Sequence, residues 1–583
     1  MTTSAKNLAQ RAGLPGKASE FFSEHPHPHR ALHSHSRGAA KKPLVIMKFG
    51  GTSVGDASCV ERVVAIIRSA AEGSDVVVVV SAMSGVTNQL VAAAGRAEAG
   101  DRQQVSAIFE GLRRQHHRAA DRLIHSEAER SRIGAKIDAL FAEGDRLCQG
   151  TALLRELTPR SRDAISSLGE RLSILLVAAA LAECGVAGVA IEATELVVTD
   201  GCHGNADPCM ELTRRRCEEG LRPLLQRGVV PVVTGFIGAT ADGVLTTLGR
   251  GGSDYSATIL GAALRADEVI IWTDVDGLQT ADPRLVPGAR TIAEVSYGEA
   301  AELAYFGAKV LHPKTLRAIT QRGIPLWIRN TFEPQRPGTK ITAEGPRSVA
   351  VRNPAGVIAL SAIGDVALLT LGGAGLAGVQ DVLLRTLRAA ASVRADVLLI
   401  SQASSQNGLC LVIPSAVARK TADALRQEFA HDLAPASGEH LAVDENVGIV
   451  TVVGQKMKSI PGIAGRSFAA LGREQVNIVA ISQGSSECSL TFVVAREDMK
   501  TALASIHREF ELGGISSESK AKADDQKAQH WNRSCSSVPA QSRHFEPEVQ
   551  PNPDLSGPDL NRPIEDCAEP SLSLDASSFN YRS

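Results

Sequence analysis

Residue types that handle phosphate follow the first strand-like run of this 583-residue chain. The run LVIMKF (44–49) contains Lys48 and is followed by Gly50 and Gly51. Two glycines let a backbone approach a ligand closely, and their N–H groups can cradle phosphate oxygens. A neighbouring lysine supplies a point charge for a transferring phosphoryl group. The segment lacks the P-loop pattern G-x-x-x-x-G-K-[ST], and an ordinary strand-to-helix turn explains it equally well.

The segment TTLGRGGSD (246–254) is more specific. A helix-like run, YSATILGAAL, follows it, and helix N-terminal N–H groups bind anions. Asp254 could accept a proton there or hold a catalytic lysine in place. A purely structural loop would not need Arg250 and Asp254 on either side of three small residues, so we expect this loop to be functional.

Four more segments place polar residues beside strand-like or helix-like runs. They are SAMSGVTN (81–88), SLGER (167–171), WTDVDG (272–277) with ADPR (281–284), and FGAKVLHP (306–313). Loops that carry Asp, Arg and Lys at strand ends suit a nucleotide and its metal. Taken singly, each has a plainer explanation, such as a helix cap at Thr87 or a first-turn glutamate at Glu170.

The elements that must position these residues alternate between strands and helices. Apolar runs at 44–49, 76–81, 229–236, 268–274 and 324–330 are separated by amphipathic stretches such as 89–98, 105–124 and 171–184. This pattern predicts an α/β fold, with a mostly parallel sheet covered on both faces, up to about residue 340. Ligands in such sheets gather at the carboxyl ends of the strands.

An internal repeat follows the α/β region. ISQASSQ (400–406) returns as ISQGSSE (481–487), and each copy is surrounded by the same order of strands and helices. The repeat predicts two small βαββαβ units. GAGLAG (373–378) fits a dinucleotide fingerprint in form, but Asp396 begins a strand where a ribose-binding acid should end one. We therefore favour a regulatory unit over a dinucleotide fold.

Composition narrows the class of protein. A formal net charge of −2 disfavours a nucleic-acid binder, and the longest apolar runs are too short for a membrane helix. The ten cysteines are scattered without a C-x-x-C pair, which fits a reducing compartment such as the cytoplasm. Residues 1–42 and 513–583 have the composition of disordered segments. The first segment is basic and contains serine, so it could be a transit peptide, and a plastid is the alternative location. Its five histidines (25–35) have no ordered frame that would favour a metal site.

The six motifs, taken in their order along the chain, resemble those of the aspartate kinase family within the amino-acid kinase superfamily, and the repeats are similar to its paired ACT domains. The resemblance implies a three-layer αβα kinase domain at 43–345 and two ferredoxin-like ACT domains at 356–433 and 446–512, between a disordered extension (1–42) and a tail (513–583). Residues 513–583 are too few for the homoserine dehydrogenase of the bifunctional relatives, so we expect a monofunctional enzyme.

The resemblance implies transfer of the ATP γ-phosphoryl group to the β-carboxylate of L-aspartate, the first step of lysine, threonine and methionine biosynthesis. Lys48 and Asp254 would be catalytic, with the lysine neutralising phosphoryl charge and the aspartate orienting it. Mg²⁺ would bridge the ATP phosphates without direct protein ligands. The aspartate pocket would comprise Thr87, Glu170, Phe236, Thr247, Arg250 and Ser253, and ATP would contact Lys48, Gly50, Gly51, Thr273, Asp274, Arg284 and Lys309.

The ACT pair implies feedback by lysine, threonine or both, in a homodimer or larger homo-oligomer. The effector would contact Gly375, Gly378, Gln402, Gly462, Asn477 and Gln483. Family members commonly carry tyrosine where Gln279 stands near the adenine, and the first ACT loop departs from the family pattern at Gln380 and Asp381. Two alternatives stay open: a non-catalytic amino-acid sensor, and a kinase acting on glutamate or N-acetylglutamate.

Overall fold

The computed structural model describes residues 42–307, 311–346, 356–372, 379–402, 408–430, 432, 440–455, 457–483 and 488–513. Three residues with a predicted role and the two terminal segments lie outside these ranges, so the expectations for them stay predictions; the three residues are Lys309, Gly375 and Gly378. All the other predicted site residues are within them.

The first part of the chain is built on an eight-stranded sheet, in the order β3-β4-β2-β1-β7-β9-β10-β8. Its central strands pair in parallel, as the alternating pattern predicted, and only the β9–β10 pair is antiparallel. The strands are β1 (Leu44–Phe49), β2 (Asp75–Val80), β3 (Gly188–Ile191), β4 (Val230–Thr234), β7 (Glu268–Thr273), β8 (Glu294–Ser296), β9 (Leu326–Asn330) and β10 (Thr339–Thr342). A short hairpin, β5 (Ile237–Ala239) with β6 (Leu245–Thr247), lies apart from it.

Helices cover both faces of this sheet, because alternate side chains of the buried strands point to opposite sides. Val45, Met47 and Phe49 pack into one hydrophobic core, and Leu44 and Ile46 pack into the other. The first core is covered by α1 (Ala57–Gly73), α2 (Val86–Glu98), α3 (Arg102–Leu123), α4 (Glu127–Leu154), α5 (Pro159–Ser166) and α6 (Leu168–Glu183). The second is covered by α7 (Met210–Leu225), α8 (Gly252–Leu264), α9 (Tyr297–Tyr305) and α10 (Pro313–Thr320). The predicted three-layer αβα sandwich is confirmed.

Helices α5 and α6 follow each other with only Ser167 between them. Thr158 caps the start by accepting the Ser161 N–H (3.1 Å), and Pro159 occupies the first turn. Pro159–Glu183 has the length and apolar composition of a membrane span, but 83% of its apolar window is buried inside the protein. It is therefore the core helix that carries Glu170 to the strand ends.

The repeat units share one six-stranded antiparallel sheet, in the order β12-β13-β11-β14-β16-β15. Its strands are β11 (Val357–Gly372), β12 (Leu399–Gln402), β13 (Leu409–Pro414), β14 (His440–Gly454), β15 (Ile478–Gln483) and β16 (Ser489–Ala495). Its helices are α11 (Val379–Ser392), α12 (Ala418–Glu428), α13 (Ile463–Arg473) and α14 (Met499–Glu509). Each repeat thus has the predicted order of strands and helices.

The long strands β11 and β14 join the two repeats. The second half of β11 pairs with β13 of the first repeat, while its first half pairs with the part of β14 that also pairs with β16. The first repeat therefore donates a strand segment to the second, and the two units form one continuous sheet. Sequence periodicity did not predict this exchange, because it depends on pairing between segments about 90 residues apart.

Candidate active site

A cavity of about 540 Å³ opens at the carboxyl ends of β1, β2 and β7. Three adjacent parallel strands end there, so the segments that follow them meet at one edge of the sheet. The cavity brings together eight of the predicted residues: Lys48, Gly50, Gly51, Thr87, Glu170, Asp254, Thr273 and Asp274. Residues separated by more than 200 positions in the chain thus share a single site.

Lys48 and Asp254 form a close ion pair in this cavity. Lys48 is 7% exposed and lies on the same side of β1 as Leu44 and Ile46, the side that α8 covers. Asp254 stands in the first turn of α8, and its Oδ1 is 2.6 Å from Lys48 Nζ. This contact supports the predicted orienting role of Asp254, because the carboxylate fixes where the ammonium can point.

Glu170 enters the cavity from the opposite helical layer. It is 3% exposed, in the first turn of α6, and its Oε2 has no hydrogen-bond partner among the described residues. Burial raises the pKa of Glu170 to about 8, although the backbone amides of Ala82 and Glu170 and the charge of Lys48 act in the opposite direction. A buried carboxyl group with a free oxygen facing a cavity is prepared to receive a cation.

The backbone N–H groups of Gly50 and Gly51, in the loop after β1, differ in whether the fold already supplies a hydrogen-bond acceptor. The Gly50 N–H donates to the Trp272 carbonyl (3.1 Å), so it is not free to bind a phosphoryl group as predicted. The Gly51 N–H has no backbone partner among the described residues, and its assignment stays a prediction. A Cβ at Gly51 would lie 3.1 Å from the Ala82 carbonyl oxygen, which explains the need for glycine where the two loops meet.

Five other predicted residues lie outside the cavity lining: Phe236, Thr247, Ser253, Arg250 and Arg284. The Thr247 hydroxyl donates to Asp163 Oδ1 (2.7 Å), which corrects the expectation that it faces the substrate. Ser253 packs beside Gly235, and Phe236 packs beside Gly252, so each side chain contacts the glycine of the other segment. These two side chains therefore support the loops that carry the charged residues.

The two arginines, Arg250 and Arg284, differ in whether a described carboxylate already pairs with them. Arg250 is exposed on the loop between β6 and α8, and no ion pair joins it to a described residue. Arg284 is bonded to both carboxylate oxygens of Asp282 and is 76% exposed at its side chain. The assignments of Arg250 to the substrate and of Arg284 to ATP both stay predictions.

The predicted effector residues within the described chain lie in the six-stranded sheet region. Gln402 and Gln483 end β12 and β15, the two edge strands, and both are exposed. Gly462 precedes α13 with a φ of +90°, and Asn477 is an exposed residue just before β15. The repeated motif thus ends both edge strands of the sheet.

Sequence reasoning missed Asp163 and His203. Asp163 is 3% exposed and accepts hydrogen bonds from His203 Nδ1 (2.9 Å), the Gly204 N–H (3.0 Å), and the Thr247 N–H (3.1 Å) and hydroxyl. The one available signal was its position seven residues before Glu170 in a helical stretch. His203 had no signal, because its partner is 40 residues away.

Comparison with known proteins identifies the class to which this fold and site belong. The model of the amino acid kinase family matches residues 43–330, and an ACT domain model matches residues 450–510. Lysine-sensitive aspartokinase 3 of Escherichia coli is 32% identical over 465 residues, which cover 80% of this chain and 98% of that protein. The chain belongs to the aspartokinase family.

Other relatives add detail. Bifunctional aspartokinase/homoserine dehydrogenase 1 of Arabidopsis thaliana, a chloroplastic protein, is 34% identical over 470 residues. The match covers 80% of this chain, which spans about half (51%) of that relative's length. The crystal structure of E. coli aspartokinase III with aspartate and ADP (R-state) has a TM-score of 0.67 at 30% identity and covers 80% of this chain and 99% of that one. The same enzyme with lysine and aspartate (T-state) has a TM-score of 0.66.

Proposed function

We propose that this protein transfers the γ-phosphoryl group of ATP to the β-carboxylate of L-aspartate and forms 4-phospho-L-aspartate and ADP. The observation that carries the proposal is the cavity itself. It holds a lysine oriented by an aspartate and, from the opposite layer, a buried glutamate with a free oxygen. The E. coli relative solved with aspartate and ADP supports the choice of substrates.

The reaction requires little acid–base chemistry from the protein. An oxygen of the ionised β-carboxylate attacks the γ-phosphorus, the bond from that phosphorus to the bridging oxygen breaks, and ADP leaves with the electron pair. Because the nucleophile is already an anion, no proton has to be removed. Positioning and electrostatic stabilisation therefore supply most of the rate.

Each charged residue has a role in that scheme. Lys48, held by Asp254 at 2.6 Å, places its ammonium where charge moves from the γ-phosphoryl group to the leaving oxygen. Glu170 receives the α-ammonium of aspartate, and the new ion pair favours the ionised carboxylate that burial disfavours. Arg250, on the loop that leads into α8, takes the α-carboxylate.

The nucleotide would enter beside the end of β7. Thr273 and Asp274 line the cavity there, and the Thr273 hydroxyl donates to Asp274 Oδ1 (3.2 Å). No group of three or more His, Cys, Asp and Glu residues within the described ranges is arranged to hold a metal. We propose that Asp274 is the carboxylate nearest to the Mg²⁺ of the nucleotide, which would supply positive charge against the ATP phosphates.

Hydroxamate formation tests this function. Purified protein with ATP, Mg²⁺, L-aspartate and hydroxylamine should yield aspartyl hydroxamate, because hydroxylamine traps the acyl phosphate. Glutamate and N-acetylglutamate serve as competing substrates, and Asp254→Ala is the negative control. Product from aspartate no greater than in that control would reject the kinase activity, whereas amino-acid binding without turnover would indicate a sensor.

We further propose feedback by lysine, acting through the repeat units at 356–433 and 446–512 on the kinase unit at 43–345. The lysine-bound structure of the E. coli relative supports the choice of effector, and threonine is the second candidate. A homodimer or larger homo-oligomer through the edges of the six-stranded sheet, and a cytoplasmic location, are part of this proposal. Sedimentation with and without lysine measures the oligomeric state.

The contacts between the kinase unit and the regulatory sheet support this coupling. Thr280 follows the β7 loop, and its hydroxyl lies 3.0 Å from His507 Nε2 of α14. The Thr280 carbonyl accepts the Leu360 N–H of β11 (2.8 Å), and the next residue, Ser361, donates its hydroxyl to the Phe306 carbonyl (2.6 Å). Neighbouring residues of one strand thus hold two segments that are predicted to bind ATP.

A pair of substitutions at Thr280 tests the coupling. Thr280→Val removes the hydroxyl that contacts His507 but keeps the shape, and Thr280→Ser keeps the hydroxyl. We expect the valine variant alone to change lysine inhibition, by the ~0.5–2 kcal/mol typical of residues between coupled sites. Thr451→Val is the matched control, since its buried hydroxyl bonds only across the regulatory sheet to Thr491 (3.1 Å). Equal lysine inhibition in all these variants would contradict the coupling.

A further inference from the structure

Asp163 joins the two sides of the aspartate pocket. It lies on α5, seven residues before Glu170, and only Ser167 interrupts the helical run between them. Seven residues make almost two complete helical turns, so both carboxyl groups project from nearly the same face, about 10 Å apart. Movement of Asp163 along or around the helix axis would therefore carry Glu170 with it.

Asp163 also accepts hydrogen bonds from the segment that leads into the loop carrying Arg250. Its Oδ2 accepts the Thr247 N–H (3.1 Å), and its Oδ1 accepts the Thr247 hydroxyl (2.7 Å). Thr247 ends β6, three residues before Arg250. Two bonds to one residue fix both the position and the direction in which the chain enters the loop.

The same carboxylate also holds the segment that encloses this loop. Oδ2 accepts the Gly204 N–H (3.0 Å) and a hydrogen from His203 Nδ1 (2.9 Å). The Gly204 carbonyl oxygen would lie 2.9 Å from a Cβ at Gly249, so the two backbones are in close contact. Asp163 is therefore the point at which α5, the 203–204 segment and the end of β6 meet.

We propose that Asp163 is a positioning residue that sets the separation between the ammonium site at Glu170 and the carboxylate site at Arg250. Because those two sites hold groups of one α-carbon, Asp163 thereby fixes where that carbon lies, and a side chain with the length of aspartate then reaches the phosphoryl group. The inference rests on the proposed function, which places the substrate between those two residues. Asp163 contacts neither cavity nor substrate and acts through Thr247 and the helix.

Two substitutions with different chemistry test the proposal. Asp163→Asn keeps the shape but replaces the charged acceptor of four hydrogen bonds with a weaker, neutral one. Thr247→Val removes only the hydroxyl bond, and Thr247→Ser should restore it. The control is Thr246→Val, because the Thr246 hydroxyl is equally buried but bonds to Thr199 (2.6 Å) instead of Asp163.

Steady-state kinetics should show a change confined to the amino-acid substrate. We expect Asp163→Asn to raise the KM for aspartate about tenfold and Thr247→Val somewhat less, with the KM for ATP unchanged. The rate with glutamate relative to aspartate should rise in both. Thr246→Val should leave these values as in the wild type. Equal changes in both KM values, or a lower kcat alone, would overturn the proposal.

Hydrogen exchange provides a readout that does not depend on turnover. The amides of residues 247–254 should exchange faster in Asp163→Asn than in the wild type, while the β1–β2 core exchanges as before. Unchanged exchange at 247–254 would overturn the positioning role even if the enzyme is active. An inactive wild type with faster exchange in the variant would reject the proposed function and keep the positioning role.

Discussion

Replacing Glu170 with glutamine should stabilise the free protein and weaken the binding of aspartate. The side chain is 3% exposed, and burial raises its pKa to about 8 from an ordinary 4.5. Between these two pH values the unfolded chain carries an ionised carboxylate while the folded protein keeps the proton. The folded state binds more protons in that range, so stability falls as the pH rises toward 8.

The size of the effect follows from the pKa. Each pH unit in this window corresponds to about 1.4 kcal/mol, which gives a cost of roughly 3 kcal/mol at pH 7 and about 5 kcal/mol above pH 8. Glutamine has the shape of the protonated form at every pH. We therefore expect Glu170→Gln to gain stability of this order above pH 8 and to gain little below pH 5.

Substrate binding should respond in the opposite direction. An ammonium group binds the ionised carboxylate, and about a tenth of Glu170 is ionised at pH 7 when its pKa is about 8. The KM for aspartate should therefore fall about tenfold for each pH unit up to 8 and level off above it. In Glu170→Gln this dependence should vanish, and the KM at pH 8.5 should rise by about a hundredfold or more because the ion pair is lost.

The assay is hydroxamate formation with aspartate titrated at half-unit steps from pH 6 to 9, beside thermal unfolding without substrate. Glu299→Gln is the matched control. Glu299 is also buried at a helix start, but it accepts the Ser296 N–H (2.7 Å) and hydroxyl (2.8 Å), so its replacement should only destabilise. A flat pH profile of the KM in the wild type, or no gain of stability in Glu170→Gln, would refute the reasoning.

Three further predictions concern the catalytic machinery and the tail. Asp254→Asn should lower kcat by about 10²–10³-fold with ATP binding retained, because it releases Lys48; a kcat within a few-fold of wild type would contradict this role. Gly51→Ala should raise the Kd for ATP about tenfold, since its methyl group would lie 3.1 Å from the Ala82 carbonyl, and fluorescent-nucleotide titration measures the change. Truncation after residue 515 should leave hydroxamate formation and the melting temperature unchanged, so a loss of either would assign the tail a role.

The sheet and the position of the site could be predicted from sequence because they depend on local patterns. The runs at 44–49, 76–81 and 268–274 correspond to β1, β2 and β7, with bounds that agree within one residue. Buried parallel strands are apolar throughout, and their polar successors gather at one edge of the sheet. Short strands such as β3, β8 and β10 were missed, since three or four residues carry too little periodicity.

Individual hydrogen bonds were the least predictable feature of the site. The Gly50 donor goes to Trp272, and the Thr247 hydroxyl goes to Asp163, although both residues stand in motifs whose general role was predicted. In each case the partner is at least 84 residues away in sequence. A motif shows which chemistry is present, but the nearest competing partner decides which atoms are left for a ligand.

The sequence alone determined which chemical groups this protein carries, their order along the chain, and the strand ends at which they stand. Local hydrophobic periodicity and glycine placement are sufficient for that. Only the tertiary structure decided that Lys48 and Asp254 meet across one layer, that Glu170 enters from the other with its Oε2 free, and that Asp163 bonds to the segments on both sides. These contacts depend on the packing of segments distant in sequence, because an ion pair or a buried carboxyl group acquires its properties from neighbours that the fold supplies.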